Sequence, residues 1–462
     1  MDRTMIAGTT YVTKRHAAVR TKHFVFNQLI PYIGNKRKLL DLRARKEITC
    51  TLRTAITPGQ AVFHSTCVQF ISLRALIGQA LAHTERTPEG VFFDAFAGTG
   101  VVSRMAKTLG YRVIANDWEP YAKAINNCYI AASAPPAFAR LGGYDNAIAA
   151  LNALPPRIDW ITDHLCPRDD AQHDVRVDRM FYMRKNGMRI DAIRPQIAEW
   201  RQVGLIDELE QDCLLAPLLY QTCYTSNTSG VFKGFHNGWG GQTRTALYRI
   251  AGDLRLAPAV FHDNGMRNEV LCEDAQRAAE RLRGTEVTVA YLDPPYNQHP
   301  YGSNYHVLNS VSLWDKPVTS KSITPRTKSA IRLDWRTERR SAYNYADEAA
   351  SAYRKLLDTL GARYVLTSYS TDGTIRLGDL LAANAVRGRV RLEMKGYKRY
   401  RVSSQRFSEK PMNVEFIVVL DTHKAADVSA QELREAIESK EQVVLNRHPE
   451  TAIDQQSQLS LF

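Results

Sequence analysis

The motif Asp293-Pro294-Pro295-Tyr296 directly follows the apolar run VTVAYL at 287–292, and this junction constrains the fold more than any other stretch of the chain. A run of apolar and β-branched residues predicts a strand buried on both faces of a parallel sheet. Two prolines cannot continue a central strand, so the chain must turn at the carboxyl end of this strand. Open α/β sheets bind ligands at that edge, which places the motif at the rim of a predicted cleft.

The residue types of this motif suit chemistry on the exocyclic amino group of a nucleobase. Because the lone pair of such a nitrogen is delocalised into the ring, two acceptors for its N–H bonds would draw it towards tetrahedral geometry. Asp293 offers a carboxylate and Pro294 a free carbonyl, while Tyr296 can stack on a base taken out of the duplex. The alternative is a strand followed by a proline-rich turn without a catalytic role.

A second strand and a glycine turn lie earlier in the chain. The run 91–96 predicts a buried strand, and it leads through Ala97-Gly98-Thr99-Gly100 into a helical pattern. No GxGxxG occurs there, so a dinucleotide is not favoured. A third strand, 112–115, ends at Asn116-Asp117, where an acid can accept hydrogen bonds from both ribose hydroxyls. Together these features predict a site for an adenosine-containing cofactor; the alternative is a doubly wound protein without that ligand.

The alternation of strands and helices lapses between about 132 and 268 and then resumes. Interleaved basic, amide and aromatic residues at 181–187 and 225–235 suit contacts with phosphates and base edges. We therefore predict an inserted, largely helical recognition domain, with a purely structural insertion as the alternative. Beyond the DPPY strand, residues 390–394 and 414–420 are expected to pair as closing strands.

Composition and charge narrow the class of protein. The formal net charge of +13 over 462 residues favours a polyanionic partner. The seven cysteines form no CxxC, so zinc or a disulfide framework is not expected. The sequence has no apolar run of membrane-spanning length and no signal-peptide pattern near residue 1, so we expect a cytoplasmic protein.

In motif content and order the chain resembles the DPPY-type DNA adenine N6-methyltransferases, and among them the restriction-modification enzymes. The segments that carry the resemblance are YIGNKRKLL (32–40), FDAFAGTG (93–100), ND (116–117), FYMRKNGMRIDAIR (181–194), SNTSGVFKGF (226–235), DPPYNQHPYGSNYH (293–306) and LTSYS (366–370). The resemblance implies an α/β fold: a Rossmann-like S-adenosylmethionine-dependent methyltransferase sheet with an inserted, largely helical DNA-recognition domain. It also implies site-specific methyl transfer to N6 of an adenine flipped out of duplex DNA, without a metal.

The same resemblance implies roles for individual residues. The expected catalytic residues are Asp293, Pro294, Pro295 and Tyr296. The expected cofactor residues are Tyr32, Lys36, Asp94, Phe96, Ala97, Gly98, Asp117, Asp274, Ala275 and Asp293, with Lys36 near the cofactor carboxylate and Asp117 at its ribose. The expected DNA-binding residues are Arg184, Lys185, Asn186, Asn227, Lys233, Tyr301, Asn304, Tyr305 and His306. Methylation of cytosine N4 or of RNA adenine, and a catalytically inactive DNA-binding relative, are the competing interpretations.

The sequence also predicts domain boundaries and binding partners. The predicted parts are a basic arm (1–26), two halves of a methyltransferase domain (27–131 and 269–422), the recognition insertion (132–268) and a polar tail (423–462). Within the tail, Gln458 to Phe462 resembles the short peptide by which bacterial proteins hold the DNA polymerase sliding clamp. The expected partners are double-stranded DNA, this clamp and a cognate restriction endonuclease. The protein is expected to associate with the bacterial nucleoid.

Overall fold

The computed structural model describes residues 24–30, 76–85, 87, 89–242, 244–320, 323–324, 327–333, 335–398 and 412–446. These residues divide into two compact units. The helical unit contains residues 24–30, Ala97–Asp274 and His299–Arg340, and the sheet unit contains the described residues of Gly34–Phe96, Ala275–Gln298 and Ser341–Phe462. Tyr32, Lys36, most of the 1–26 arm and the peptide Gln458 to Phe462 lie outside the described residues.

The described residues include seven strands and fourteen α-helices with defined bounds, besides helical residues at 24–26 and 76–82. The strands are β1 (Val91–Asp94), β2 (Arg112–Asn116), β3 (Glu269–Leu271), β4 (Val287–Leu292), β5 (Ala362–Ser370), β6 (Arg389–Lys398) and β7 (Met412–Asp421). The α-helices are α1 (Val101–Thr108), α2 (Pro120–Asn126), α3 (Tyr144–Ala153), α4 (Trp160–Leu165), α5 (Arg184–Gln202), α6 (Glu208–Tyr224), α7 (Leu247–Ile250), α8 (Ala275–Arg281), α9 (Tyr301–Asn304), α10 (His306–Leu313), α11 (Trp335–Glu338), α12 (Ala349–Thr359), α13 (Leu377–Ala385) and α14 (Ala430–Asn446). A π-helix (Asn127–Ala131) extends α2, and 3₁₀ turns lie at Ala139–Leu141 and Ala342–Asn344.

The sheet unit is built on five strands in the order β1-β4-β5-β7-β6. All six residues of β4 are buried, as predicted for the run before the DPPY motif. β4 pairs in parallel with β1 on one side and with β5 on the other. The antiparallel strands β7 and β6 complete the sheet, with Val390 opposite Leu420, which confirms the predicted closing pair.

The helical unit surrounds a short parallel pair and one extensive apolar core. β2 pairs in parallel with β3, with Asn116 opposite Leu271. The core contains side chains of α2, α5, α6 and α10, including Tyr121, Ile193 and Leu218. The inserted stretch is largely helical, as predicted, and it shares this core with the segments that flank it in sequence.

Part of the expected polar tail is folded. Residues Ala430–Asn446 form helix α14 in the sheet unit, and this helix packs against β6 and β7. Leu433 and Ile437 lie four residues apart on one face of the helix and are buried, while most of its other side chains are exposed. Across the described residues, no helix combines the length and the apolar character needed to cross a membrane.

Candidate active site

The carboxyl end of β1 lies beside that of β4 in the sheet unit. Asp94, the last residue of β1, is 1% exposed and pairs in register with Tyr291. The Ala95 backbone N–H donates to the Tyr291 carbonyl at 3.1 Å. Phe96 is half-buried, and its ring meets Tyr343 edge-on with the centroids 5.2 Å apart. Two of the expected cofactor residues are therefore held firmly at this edge of the sheet unit.

Two positions of the glycine turn in the helical unit favour glycine. Gly98 and Gly100 have φ values of 52° and 74°, in the left-handed region. A Cβ atom on Gly100 would lie 2.1 Å from Oδ1 of Asn126, so any other residue would displace that side chain. The Asn126 amide also donates to the Gly98 carbonyl at 3.0 Å. Asn126 thus fixes the turn, a role that no local sequence pattern indicated.

Asp117 joins the glycine turn to the end of β2. Its Oδ2 accepts a hydrogen bond from the Gly98 N–H at 2.7 Å, and its Oδ1 accepts one from the Glu119 N–H at 2.9 Å. Burial raises the pKa of Asp117 to about 6, although these backbone donors oppose the change. Each carboxylate oxygen has a second lone pair, so Asp117 can accept further bonds from a ligand.

The residues after β3 lie next to this acid. Asn116 donates to the Glu273 carbonyl at 3.1 Å and accepts from the Glu273 N–H at 3.2 Å, which ties the ends of β2 and β3 together. Asp274 follows directly and is half-buried. Ala97, Gly98, Asp117 and Asp274 are thus brought to one end of the strand pair in the helical unit. Ala275 is buried and begins α8 in the sheet unit.

The DPPY motif turns away at the end of β4, as predicted. Asp293 and Tyr296 are half-buried, and the two prolines between them are buried. Burial first, and then the charge of Asp293, raise the pKa of Tyr291. The Tyr296 ring meets Tyr369 edge-on, with centroids 6.1 Å apart and planes at 82°. An acid and a supported aromatic ring therefore lie together at the strand end.

Several of the expected DNA-binding residues are buried. Asn186, Asn227, Asn304, Tyr305 and His306 are each at most 1% exposed. The Asn186 amide donates to the carbonyls of Ile250 and Gly252. Asn304 differs, because its Oδ1 has no hydrogen-bond partner and its Nδ2 lies 3.5 Å from the His299 carbonyl. DNA contact by these five residues stays a prediction; in this structure their side chains lie in the interior.

The other expected DNA-binding residues are more accessible. Lys185 is exposed and forms an ion pair with Asp253 at 2.6 Å. Arg184 is half-buried and donates to the Pro167 carbonyl at 3.2 Å. Lys233 and Tyr301 are also half-buried, and burial lowers the pKa of Lys233. These four side chains can reach a ligand without unfolding the core.

Asn227 closes a compact loop, residues 227–240, that the sequence alone did not reveal. Its backbone carbonyl accepts from the His236 N–H, and its side chain donates to the His236 carbonyl and accepts from the Gly240 N–H. The Arg249 guanidinium holds the start of this loop by donating to the carbonyls of Tyr224, Ser226 and Thr228. The loop is thus fixed at both ends, while Ser229 and Asn237 are exposed.

An α/β fold with a glycine turn after the first strand, an acid after the second and DPPY after a buried central strand defines a methyltransferase. The chain belongs to the D12 class of N6 adenine-specific DNA methyltransferases, whose family model matches residues 74–351. This confirms the predicted enzyme class and selects it over N4-cytosine and RNA methylation. Among the described residues, no group of three or more His, Cys, Asp or Glu side chains is arranged to hold a metal ion.

Similar proteins include several modification methylases. Type II methyltransferase M.NlaIII from Neisseria lactamica is 32% identical over 317 residues, which cover 67% of this chain and 84% of that protein. Modification methylase StsI from Streptococcus sanguinis is 28% identical over 69% of this chain and 46% of its own length. Type II methyltransferase M.FokI from Planomicrobium okeanokoites is 27% identical over 72% and 48%. The chain thus spans most of the first relative and about half of the other two.

Proposed function

We propose that the protein transfers a methyl group from S-adenosylmethionine to N6 of an adenine flipped out of duplex DNA at a specific sequence. The observation that carries the proposal is the position of the DPPY motif at the end of buried strand β4. Asp94 pairs with Tyr291, only two residues before Asp293, so two acids lie at the same edge of the sheet unit. In this proposal the adenine amino group and the methyl donor meet at this edge.

The residues of the motif have distinct tasks in this proposal. The Asp293 carboxylate and the Pro294 carbonyl accept the two N–H bonds of the adenine amino group, which directs its lone pair away from the ring. Tyr296 stacks on the flipped base, supported edge-on by Tyr369. The cofactor supplies a methyl group on a cationic sulfur that is a good leaving group. Positioning and oriented acceptors then account for the rate.

The residues proposed to hold S-adenosylmethionine fit its polar groups. In the helical unit, a Cβ atom on Gly100 would clash with Asn126, and Asp117 keeps acceptor capacity for ribose hydroxyls. Ala97, Gly98 and Asp274 complete the proposed set in that unit, and Asp94, Phe96, Ala275 and Asp293 form the set in the sheet unit.

Transfer of label from tritiated S-adenosylmethionine tests the proposed function. After incubation with duplex DNA and digestion to nucleosides, the label should be in N6-methyladenine. Label in N4-methylcytosine, label in RNA but not in DNA, or no transfer at all would each reject the proposal.

We expect cofactor affinity to depend on the ionisation of Asp117. Ribose hydroxyls donate to the ionised carboxylate, so affinity for S-adenosylhomocysteine should rise with pH through the pKa of about 6 and fall below it. Asp117→Asn should weaken binding by roughly 1–3 kcal/mol and remove this pH dependence. Calorimetry from about pH 5 to about pH 8 measures both effects.

The control for this prediction is Asp145→Asn, which alters an exposed acid in the first turn of α3. It should keep both the affinity and its pH dependence. Thermal unfolding of Asp117→Asn checks that the glycine turn, which Asp117 also holds, has not been lost. A pH profile that is the same in wild type and Asp117→Asn would contradict the assignment.

We further propose a sliding-clamp partner for residues 458–462. Leu459, Leu461 and Phe462 offer apolar side chains for a pocket and Gln458 a directional amide, after a polar stretch. Such a tether would raise the local concentration of the enzyme on newly replicated DNA at the nucleoid. A peptide of residues 451–462 should bind purified clamp, and the double variant Leu461→Ala, Phe462→Ala should not. Equal binding by the two peptides, or binding by neither, would reject this partner.

A cognate restriction endonuclease is the other proposed partner. The supporting observation is that similar proteins carry the names of modification methylases. DNA methylated by this protein should resist one endonuclease that cleaves the same sequence.

A further inference from the structure

Helix α10 (His306–Leu313) carries buried polar side chains that bond to other segments of the helical unit. His306, Asn309 and Ser310 are 1%, 3% and 2% exposed. Buried polar groups are costly unless they are hydrogen-bonded, so their partners define what this helix holds in place. Two of these three side chains reach segments with different roles.

Asn309 holds the segment that follows Asp117. Its Nδ2 donates to Glu119 Oε2, and its Oδ1 accepts from the Tyr121 N–H at 3.3 Å. Glu119 in turn donates its backbone N–H to Asp117. Burial raises the pKa of Glu119 to about 7. The hydrogen bond from Asn309 acts in the opposite direction, because it stabilises the carboxylate form. We call residues 117–121 the cofactor loop.

His306 holds the loop 227–240. Its Nε2 lies 3.0 Å from the Phe232 carbonyl, and the Phe232 N–H donates to the Asn304 carbonyl at 2.7 Å. Burial lowers the pKa of His306 to about 4, so the ring is neutral at physiological pH. Since a carbonyl can only accept, Nε2 carries the proton. Two bonds in opposite directions therefore fix Phe232 to the end of α9 and the start of α10.

The last turn of α10 is also fixed. The Arg194 guanidinium, from α5, donates to the carbonyls of Val311 at 2.6 Å and Ser312 at 2.9 Å. With both ends held, α10 connects the loop 227–240 to the cofactor loop through bonded side chains only three residues apart.

We propose that His306 and Asn309 are positioning residues that couple DNA recognition by the loop 227–240 to the cofactor loop. Cofactor affinity then depends on whether the correct DNA sequence is bound. This inference rests on the proposed function. The loop exposes Ser229 and Asn237 and leaves Lys233 accessible, which are side chains able to contact DNA. By reciprocity, the cofactor raises DNA affinity by the same factor.

The test compares cofactor binding in free and DNA-bound protein. The methylated sequence is first read from DNA modified by the wild type, and a duplex containing it is prepared with a second duplex that differs by one base pair. The ratio of S-adenosylhomocysteine dissociation constants without and with the cognate duplex should be at least about 5 in the wild type. The changed duplex should give a ratio near one.

His306→Leu and Asn309→Leu should each bring the cognate ratio to within about twofold of one. His306→Gln, whose amide can still donate to the Phe232 carbonyl, should restore it. Ser310→Ala is the matched control, because Ser310 is buried on the same helix but donates within the helix to the His306 carbonyl. Its ratio should equal that of the wild type.

Where a leucine variant does not fold, His306→Gln and His306→Asn decide between the outcomes, since only the longer amide reaches the Phe232 carbonyl. A wild-type ratio of one, a ratio retained in both leucine variants, or an equal loss in Ser310→Ala would overturn the inference. Absence of any methylated base in the wild-type reaction would instead reject the proposed function, and the inference with it.

Discussion

Replacing Asp293 with alanine is expected to lower methyl transfer by roughly a hundred- to a thousandfold while leaving the fold intact. The reason is that its carboxylate is the charged acceptor for the adenine amino group, and loss of one such oriented contact has this typical cost. Asp293 is only half-buried and follows the last residue of β4, so its truncation leaves no large cavity in the core. Initial rates of tritium transfer at saturating DNA and cofactor measure the effect.

Two further variants make this result specific. Asp293→Asn keeps one oxygen acceptor without the charge and should fall between wild type and Asp293→Ala. Asp358→Ala removes a carboxylate of the same unit that pairs with Arg387 on the surface, and it should retain the wild-type rate. Thermal unfolding should be similar in all of these proteins. A near wild-type rate for Asp293→Ala would show that the catalytic acceptor lies elsewhere.

The second large effect is expected at Tyr296. Base stacking on an aromatic ring contributes roughly 1–3 kcal/mol, so Tyr296→Ala should lower kcat/KM for DNA about 5- to 150-fold. Tyr296→Phe keeps the ring and its edge-on contact with Tyr369, so it should retain most of the activity. Affinity for S-adenosylhomocysteine should be unchanged in both variants. Equal losses in Ala and Phe, or no loss in Ala, would mean that the ring does not hold the base.

The sequence predicted best those elements that a short local pattern encodes. The strand β4 and the turn at Asp293 followed from an apolar run that meets two prolines, and the pairing of β6 with β7 followed from two further apolar runs. In each case the signal is contained within about ten residues.

The interior polar residues could not be predicted in the same way. An asparagine next to lysines and aromatics suggests a nucleic-acid contact, yet Asn227 bonds to Met180, His236 and Gly240. The side-chain type does not distinguish a backbone partner from a ligand, because the same donors and acceptors serve both. Helix α14 was not predicted for a similar reason. Its two buried apolar residues, Leu433 and Ile437, stand among many charged residues, and they are buried only because the helix packs on the sheet unit.

The shared core of the helical unit limits how the sequence specificity of such an enzyme can be altered. Exchanging all of 132–268 would replace most of the side chains in the core that also contains Tyr121 and Leu308, and would leave the remaining core residues without matching shapes. The loop 227–240 is a shorter segment to change. Asn227 and Gly240 are hydrogen-bonded to each other, and Arg249 holds the residues just before the loop. If this loop reads the DNA sequence as proposed, varying its exposed residues, such as Ser229 and Asn237, and keeping the core residues Phe232 and Phe235 should alter specificity with less damage to packing than grafting the whole segment.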